Sequence, residues 1–212
     1  MSAPLTARVV VELIGTFLLA LTIQLMVLHA PDLAPVAPLA IALMLAALVY
    51  AGGPISAAMY NPAVLAGFVM AKGFPRSEVG PYLGAQLIGA ALAAGCGLLL
   101  RGQAAVPIEP DPAMAIFAEA LFTFALLWVI FQVTSPRQQG NQWFGIAIGA
   151  VVGGGAYAVG AISGAAFNPA VWLSLAATGK LAWSTWWMYL IGEGLGVLLA
   201  VIVQRIIESD NP

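Results

Sequence analysis

Charged residues are scarce in this chain of 212 residues. Only 8% of them are Asp, Glu, Lys or Arg, 62% are hydrophobic, and the mean hydropathy is +0.98. A soluble domain is about a quarter charged and about half apolar, so the composition excludes a soluble protein and indicates one whose main partner is the lipid bilayer. The net charge of −2 and the lack of a Lys/Arg cluster exclude nucleic acid as a partner, because phosphates need concentrated positive charge.

Cysteine and histidine are almost missing as well. The single cysteine, Cys96, lies in an apolar run, so the chain can form neither an internal disulfide nor a cysteine-based metal site. The single histidine, His29, lies beside a proline-rich stretch, and we interpret it as a water-exposed loop residue. Ser and Asp residues therefore lack a partner for a hydrolytic triad. We predict no enzyme activity, no catalytic residues, no metal site and no cofactor.

Long apolar runs fill the chain instead. A helix needs roughly 20 residues to cross a bilayer core about 30 Å thick, and six runs are long enough: 8–28, 36–53, 81–100, 112–133, 141–160 and 183–207. Two further apolar runs, which begin at Asn61 and Asn168 and end near residues 71 and 178, reach only about halfway. The first run is too long for a cleavable signal and carries Glu12, so we interpret it as a membrane span.

The sequence repeats itself at a constant offset of 107 residues. This offset takes residues to identical residues at many positions, among them Glu12 to Glu119, Thr16 to Thr123, Ser56 to Ser163, Asn61 to Asn168, Tyr82 to Tyr189 and Gly89 to Gly196. Each copy, about 8–100 and 112–207, holds three spans and one half-length helix. Because three is odd, the second copy must enter the membrane from the opposite side. We predict a single domain over 1–212, an all-α membrane protein with six transmembrane helices plus two re-entrant half-helices in an inverted repeat.

Loop charges predict the orientation of the chain. With the N-terminus inside the cell, five cations lie on the cytoplasmic side and only Arg101 and Lys180 on the other; the five are Arg8, Lys72, Arg76, Arg137 and Arg205. This distribution obeys the positive-inside rule. Both termini are therefore expected to be cytoplasmic, in a protein of the cell (inner) membrane.

The two half-length helices begin with the same motif, Asn-Pro-Ala, at Asn61, Pro62 and Ala63 and again at Asn168, Pro169 and Ala170. Asn is a favoured N-cap and Pro a favoured first helical residue. Inverted symmetry brings the two helix starts together near the midplane, where their partial positive charges repel cations. The cap side chains can then point NH₂ donors into the lumen.

The backbone ahead of each cap is expected to be non-helical. Hydrocarbon tolerates such backbone only where it is buried in protein or lines a watery cavity, so the sequence predicts a path for water. Carbonyl groups would form a ladder of acceptors along this path, from Ala57, Ala58 and Met59 on one side and Gly164, Ala165 and Ala166 on the other.

Several sequence motifs resemble those of the major intrinsic proteins, the aquaporin and aquaglyceroporin family, and they extend over essentially the whole chain. They are VELIGTF, AEALFTF, PYLGAQLIGA, ISAAMYNPAV and AISGAAFNPAV. The resemblance implies an aquaporin-like channel that passively conducts water or small neutral solutes and forms a homotetramer with one pore in each subunit. It also implies that Glu12 and Glu119, together with Gln86, brace the re-entrant loops. Such braces suit carboxylates, which are costly inside a membrane unless they have partners.

The chain departs from this family at the pore mouth. Family members normally follow the second Asn-Pro-Ala with Arg, but this chain has Val171 there, and the other three filter positions fall at Ala165, Ala156 and Ile41. This filter is expected to be wide and apolar. Family members with such mouths are associated with metalloid hydroxides such as arsenite and with polyols such as glycerol, which we expect to pass along with water. Two alternatives stay open: a constriction formed by Met59, Tyr157 or Phe167, and a strictly water-selective pore.

Glu193 is the second departure from the family. The offset pairs it with Gln86, near the middle of the sixth span, where it is either a titratable gate or a protonated or hydrogen-bonded carboxyl that replaces an amide. A proton-coupled secondary transporter is the alternative of a different class, because inverted repeats with broken helices and intramembrane carboxylates also build transporters. The short repeat and the facing half-helices favour a static pore.

Overall fold

Eight α-helices account for most of residues 3–28, 35–102 and 106–209, the part of the chain that a computed structural model describes. Their order is α1 (Leu5–Leu28), α2 (Ala37–Ser56), α3 (Pro62–Ala71), α4 (Arg76–Arg101), α5 (Pro112–Val133), α6 (Phe144–Ser163), α7 (Pro169–Ala177) and α8 (Trp186–Ser209). Six of them, all except α3 and α7, are long and apolar enough to cross a membrane. The prediction of an all-α membrane protein with six spans and two short helices is confirmed. His29 lies outside the described residues.

Several helices extend beyond the predicted runs. Helix α2 continues through Pro54 to Ser56, and α4 begins at Arg76, five residues before Pro81. Each proline removes one backbone hydrogen bond from its helix, and both helices nevertheless continue through it. The three extra residues of α2 matter for the site, because they carry Ser56 to the beginning of the first re-entrant loop.

Glycines set the spacing of the helix pairs. Helix α1 packs on α4, α5 packs on α8, and α2 packs on α6. A Cβ added to Gly89 of α4 would lie 2.6 Å from the carbonyl oxygen of Leu13, and one added to Gly196 of α8 would lie 2.6 Å from that of Ala120. Gly149 of α6 meets the carbonyl of Ala42 in the same way. Close backbone approach of this kind is typical of helix pairs in membranes.

The five cations that the sequence assigns to the cytoplasm lie at one end of the helix bundle. Arg8 forms a bidentate ion pair with Glu78 at 2.5 and 2.7 Å, and Lys72 lies 2.5 Å from Glu208. At the same end, Arg137 donates to the carbonyl of Ile207 and Arg205 to that of Met70, each at 3.2 Å; Arg76 begins α4 two residues before Glu78. That this end faces the cytoplasm stays a prediction.

Substitution of Gly149 by Ala is expected to destabilise the protein by about 1–3 kcal/mol, because the new methyl group would be forced against the backbone of α2. Thermal unfolding in detergent measures the effect. Gly154 on the same helix has open space at its Cβ position, so Gly154→Ala is the matched control and should be neutral or slightly stabilising. Equal unfolding temperatures for Gly149→Ala and the wild type would contradict this description of the α2–α6 contact.

Candidate functional site

Two re-entrant loops with the same backbone conformation join α2 to α3 and α6 to α7. Each contains three residues with positive φ, at positions related by the 107-residue offset: Ala57 (71°), Ala58 (49°) and Tyr60 (49°), then Gly164 (83°), Ala165 (51°) and Phe167 (47°). This left-handed conformation costs a non-glycine residue roughly 1–3 kcal/mol. Five non-glycine residues adopt it here, so the surrounding structure must hold both loops firmly.

The first loop is held by Glu12 of α1, which is fully buried. Its Oε1 accepts hydrogen bonds from the Ser56 hydroxyl at 2.7 Å and the Met59 N–H at 2.9 Å, and its Oε2 accepts from the Tyr60 N–H at 2.7 Å. The Gln86 amide of α4 donates a fourth hydrogen bond to Oε2, at 2.9 Å. One carboxylate thereby satisfies two loop N–H groups that no helix or strand serves.

Glu119 of α5 holds the second loop in the same way. It is fully buried and accepts from the Ser163 hydroxyl at 2.6 Å, the Ala166 N–H at 3.1 Å and the Phe167 N–H at 2.6 Å. The structure therefore brings together the residues that the resemblance assigned to loop bracing.

A pair of tyrosines fixes the helix ends behind the loops. The Tyr82 hydroxyl donates to the carbonyl of Ser56 at 3.0 Å, and the Tyr189 hydroxyl donates to the carbonyl of Ser163. The sequence analysis gave these tyrosines no role, although their identity at the 107-residue offset was a signal for one. Each loop thus begins at a carbonyl whose position is set by a buried phenol.

The two asparagines cap the half-helices. Oδ1 of Asn61 accepts from the N–H groups of Ala63 at 2.8 Å and Val64 at 3.4 Å, at the start of α3. Oδ1 of Asn168 accepts from those of Ala170 at 2.9 Å and Val171 at 3.4 Å, at the start of α7. Both side chains use their oxygen on the helix, which leaves their NH₂ groups for other contacts.

Each NH₂ group donates across to the opposite loop, a contact that the sequence analysis missed. The Asn61 amide donates to the carbonyl of Phe167 at 2.8 Å, and the Asn168 amide donates to the carbonyl of Tyr60 at 3.0 Å. An NH₂ group has two hydrogens, so one hydrogen of each cap remains for a solute. These reciprocal bonds join the two helix starts directly.

A cavity of about 1000 Å³ passes both caps. It is bordered by Asn61 and Asn168, by all six residues of the predicted carbonyl ladder, and by the four predicted filter positions Ile41, Ala156, Ala165 and Val171. No donor in the described part of the chain bonds the ladder carbonyls. The cavity reaches from Pro35 and Lys180 at one end to Ser135 and Asn141 at the other.

The residues of the alternative constriction border the same cavity. Met59 and Phe167 are buried, whereas Tyr157 is 59% exposed. Phe167 is fixed by stacking on Phe122, with ring centroids 5.4 Å apart. All three residues therefore stay open as the alternative constriction.

Lys180 is the only charged residue that borders this cavity within the described ranges. Its backbone is fixed by two hydrogen bonds, from Ile108 N–H to its carbonyl at 2.9 Å and from its own N–H to the Leu175 carbonyl at 2.8 Å. The side chain is partly buried and has no ion-pair partner among the described residues. The sequence analysis used Lys180 only to orient the chain; its position just after the second half-helix was the available signal.

Glu193 does not border the large cavity. It lies beside a separate cavity of about 380 Å³ that is otherwise lined by apolar residues and glycine, including Pro62 and Pro169. Its carboxyl group is buried, and neither oxygen has a hydrogen-bonding partner among the described residues. In the same part of the chain, no three His, Cys, Asp or Glu side chains come together as a metal site would require.

Comparisons with known proteins agree on one family. The family model described as Major intrinsic protein matches residues 8–204. The putative aquaporin NIP4-1 of Arabidopsis thaliana is 31% identical over 222 residues, which cover 98% of this chain and 77% of the relative. The probable aquaporin AqpM of Archaeoglobus fulgidus is 32% identical over 246 residues, covering 99% of this chain and all of the relative.

A solved structure shares the fold. The X-ray structure of the aquaglyceroporin from Plasmodium falciparum superposes with a TM-score of 0.73 over 97% of this chain and 96% of its own, at 21% sequence identity. At 21% identity, the similarity shows that the two proteins share a fold, the arrangement of their helices.

Substitution of Glu12 by Gln should loosen the first loop. One acceptor oxygen would become an NH₂ group that faces N–H or O–H donors, and a buried unsatisfied donor costs about 1–3 kcal/mol. We expect a lower unfolding temperature in detergent and a lower water flux in proteoliposomes. Glu109 is exposed, so Glu109→Gln is the matched control and should change neither. A Glu12→Gln variant with unchanged stability and flux would show that the carboxylate does not hold the loop.

Proposed function

The chain belongs to the major intrinsic protein family, and from this premise we propose that it passes metalloid hydroxides such as arsenite, glycerol-like polyols and water through a wide, apolar filter. Members of this family are channels for small solutes and not enzymes. The observation that carries the finer proposal is that Ile41, Ala156, Ala165 and Val171 border one continuous cavity together with both asparagine caps.

The apolar filter positions favour solutes larger than water. Two of the four are alanines, and none carries a polar side chain, so the filter has neither a long side chain to narrow it nor a charge to orient a single water molecule. A solute with several hydroxyl groups can bond the ladder carbonyls on one side and lie against methyl groups on the other. Polar groups fixed in an apolar pocket are the usual basis of recognition for such molecules.

Ions are expected to be excluded at the caps. A cation that enters loses hydration, which is costly in a narrow apolar passage, and meets the positive ends of α3 and α7. The amides of Asn61 and Asn168 offer hydrogen-bond donors there, which suit the oxygen of a neutral solute. At the caps, a neutral solute therefore finds hydrogen-bond donors, whereas a cation is repelled.

The proposal includes the oligomeric state and the orientation of the channel. The chain forms a homotetramer in the cell (inner) membrane, with both termini in the cytoplasm. Large apolar side chains on the outside support contact with lipid or neighbouring subunits; Leu99 is 88% exposed, Trp143 72% and Phe117 68%. The cations gathered at one end of the bundle support the orientation.

Stopped-flow light scattering on proteoliposomes tests the solute range. We expect fluxes of water, glycerol and arsenite that are linear in the gradient. Water flux without measurable glycerol or arsenite flux would overturn the wide-filter proposal in favour of a water-selective pore. Saturable uptake driven uphill by a proton gradient would instead identify a secondary transporter.

Substitution of Val171 by Arg is expected to narrow the filter. A long charged side chain at this position should reduce glycerol and arsenite flux by about tenfold or more, a barrier increase of at least about 1.4 kcal/mol, while water flux persists. The same light-scattering assay measures all three solutes. Val171→Ala, the control, removes volume and should preserve solute flux; a loss of solute flux in this control, or none in Val171→Arg, would place the filter elsewhere.

Lys180 is expected to help repel cations at the mouth that it borders. At about 10 Å and an effective dielectric constant near 20, one charge contributes roughly 1.7 kcal/mol, so Lys180→Gln should raise the K⁺ leak of proteoliposomes by about tenfold. Arg101 is also basic but exposed and does not border the cavity, so Arg101→Gln is the matched control. Equal K⁺ leaks in the two variants would remove Lys180 from ion selectivity.

A further inference from the structure

The two buried carboxylates that hold the loops have unequal numbers of donors. Glu12 accepts four hydrogen bonds, the fourth from the amide of Gln86. Glu119 accepts three, from Ser163, Ala166 and Phe167. The donor that is missing in the second half is the counterpart of Gln86, and the 107-residue offset puts Glu193 there.

The packing of α8 on α5 gives Glu193 the same place that Gln86 has on α1. A Cβ on Gly196 would meet the carbonyl of Ala120 and the Cβ of Thr123, just as one on Gly89 would meet Leu13 and Thr16 in the first half. A Cβ on Gly192, next to Glu193, would lie 2.9 Å from the Cβ of Glu119. Glu193 therefore lies on the part of α8 that packs against Glu119.

No described positive group balances a charge on Glu193. The only cation among the buried described residues is Arg8, which pairs with Glu78 at the end of the bundle. Two half-helix starts border its cavity, but Pro62 and Pro169 have no N–H, and the asparagine caps already accept the N–H groups that follow. Neither carboxyl oxygen of Glu193 accepts a hydrogen bond from a described residue.

None of the remaining described polar groups near Glu193 donates to it. The Thr123 hydroxyl, on the face of α5 that packs on α8, is buried and has no partner among the described residues either. Tyr189, one turn earlier on α8, donates its hydroxyl hydrogen to the carbonyl of Ser163. Glu119, from α5, is an acceptor while it is ionised. Two adjacent carboxylates inside a membrane would each be desolvated and would repel one another. A neutral carboxyl group, in contrast, has one donor and one acceptor, as the Gln86 amide does when it serves Glu12.

We propose that Glu193 holds a proton and donates its carboxyl O–H to Glu119, so that a carboxyl–carboxylate pair completes the bracing of the second re-entrant loop. Glu193 is then a positioning residue, which acts on the pore through Glu119 and the loop of residues 164–167. The inference does not depend on which solute the channel passes.

Infrared spectroscopy of the full chain in lipid tests the protonation directly. A protonated carboxylic acid has a C=O stretch that is distinct from carboxylate bands and shifts on H/D exchange. We expect this band in the wild type at neutral pH and its loss in Glu193→Gln. Gln86→Glu is the matched variant in the first half and should add a second band of the same kind. Identical wild-type and Glu193→Gln spectra in this region would overturn the proposal.

Thermal unfolding tests the positioning role. Glu193→Gln keeps a donor and an acceptor and should melt close to the wild type, whereas Glu193→Leu keeps the volume but leaves Glu119 without its fourth donor and should melt about 4 °C or more lower. A Leu variant that fails to fold beside a stable Gln variant also supports the role. Equal melting temperatures of the two variants, or a Gln variant that fails to fold, would overturn it. The solute fluxes that test the proposed function are measured on the wild type, so the two tests can fail independently.

Discussion

The pore depends on two reciprocal hydrogen bonds, in which each cap asparagine donates to the carbonyl just before the other cap. Asn61 reaches Phe167 and Asn168 reaches Tyr60, at 2.8 and 3.0 Å. These bonds hold the starts of α3 and α7 against each other, although helix dipoles of the same sign repel. Each amide satisfies a buried carbonyl and keeps one hydrogen for a passing molecule. The same contacts therefore hold the two positive helix ends at the middle of the channel and leave donors there for the oxygen atoms of neutral solutes.

Buried glutamates and closely packed helices hold the two re-entrant loops in a conformation that the backbone alone would not adopt. Left-handed φ angles at Ala58 and Ala165 aim the chain into the membrane, where no water can satisfy an exposed N–H. Glu12 and Glu119 supply the acceptors, and glycines let α4 and α8 approach closely enough to support them. The cost of burying two carboxylates is offset because each serves several donors at once. Stability and conduction thus rest on the same buried polar groups.

Much of this arrangement could be predicted from the sequence. Run lengths indicated six spans and two half-helices, and Asn followed by Pro fixed where α3 and α7 begin. The offset of 107 residues paired the bracing glutamates before any geometry was known. The bonds between the caps could not be predicted, because they depend on how closely two distant loops approach. The predicted runs ended at residue 53 and began at residue 81, whereas α2 ends at Ser56 and α4 begins at Arg76. The lengths of apolar runs do not show that a helix continues through Pro54 or Pro81. The position of Lys180 at the cavity follows from tertiary contacts with Ile108 and Leu175, which no local pattern contains.

The central claim is that two facing half-helices hold open a hydrated passage that cations do not enter. It is tested most directly by measuring, on the same wild-type proteoliposomes, the temperature dependence of osmotic water flux and the proton conductance. The account predicts water flux with an activation energy well below that of the protein-free bilayer, together with a proton conductance no higher than that of empty vesicles. An activation energy equal to that of the bare bilayer, or proton current that rises in proportion to water flux, would contradict it.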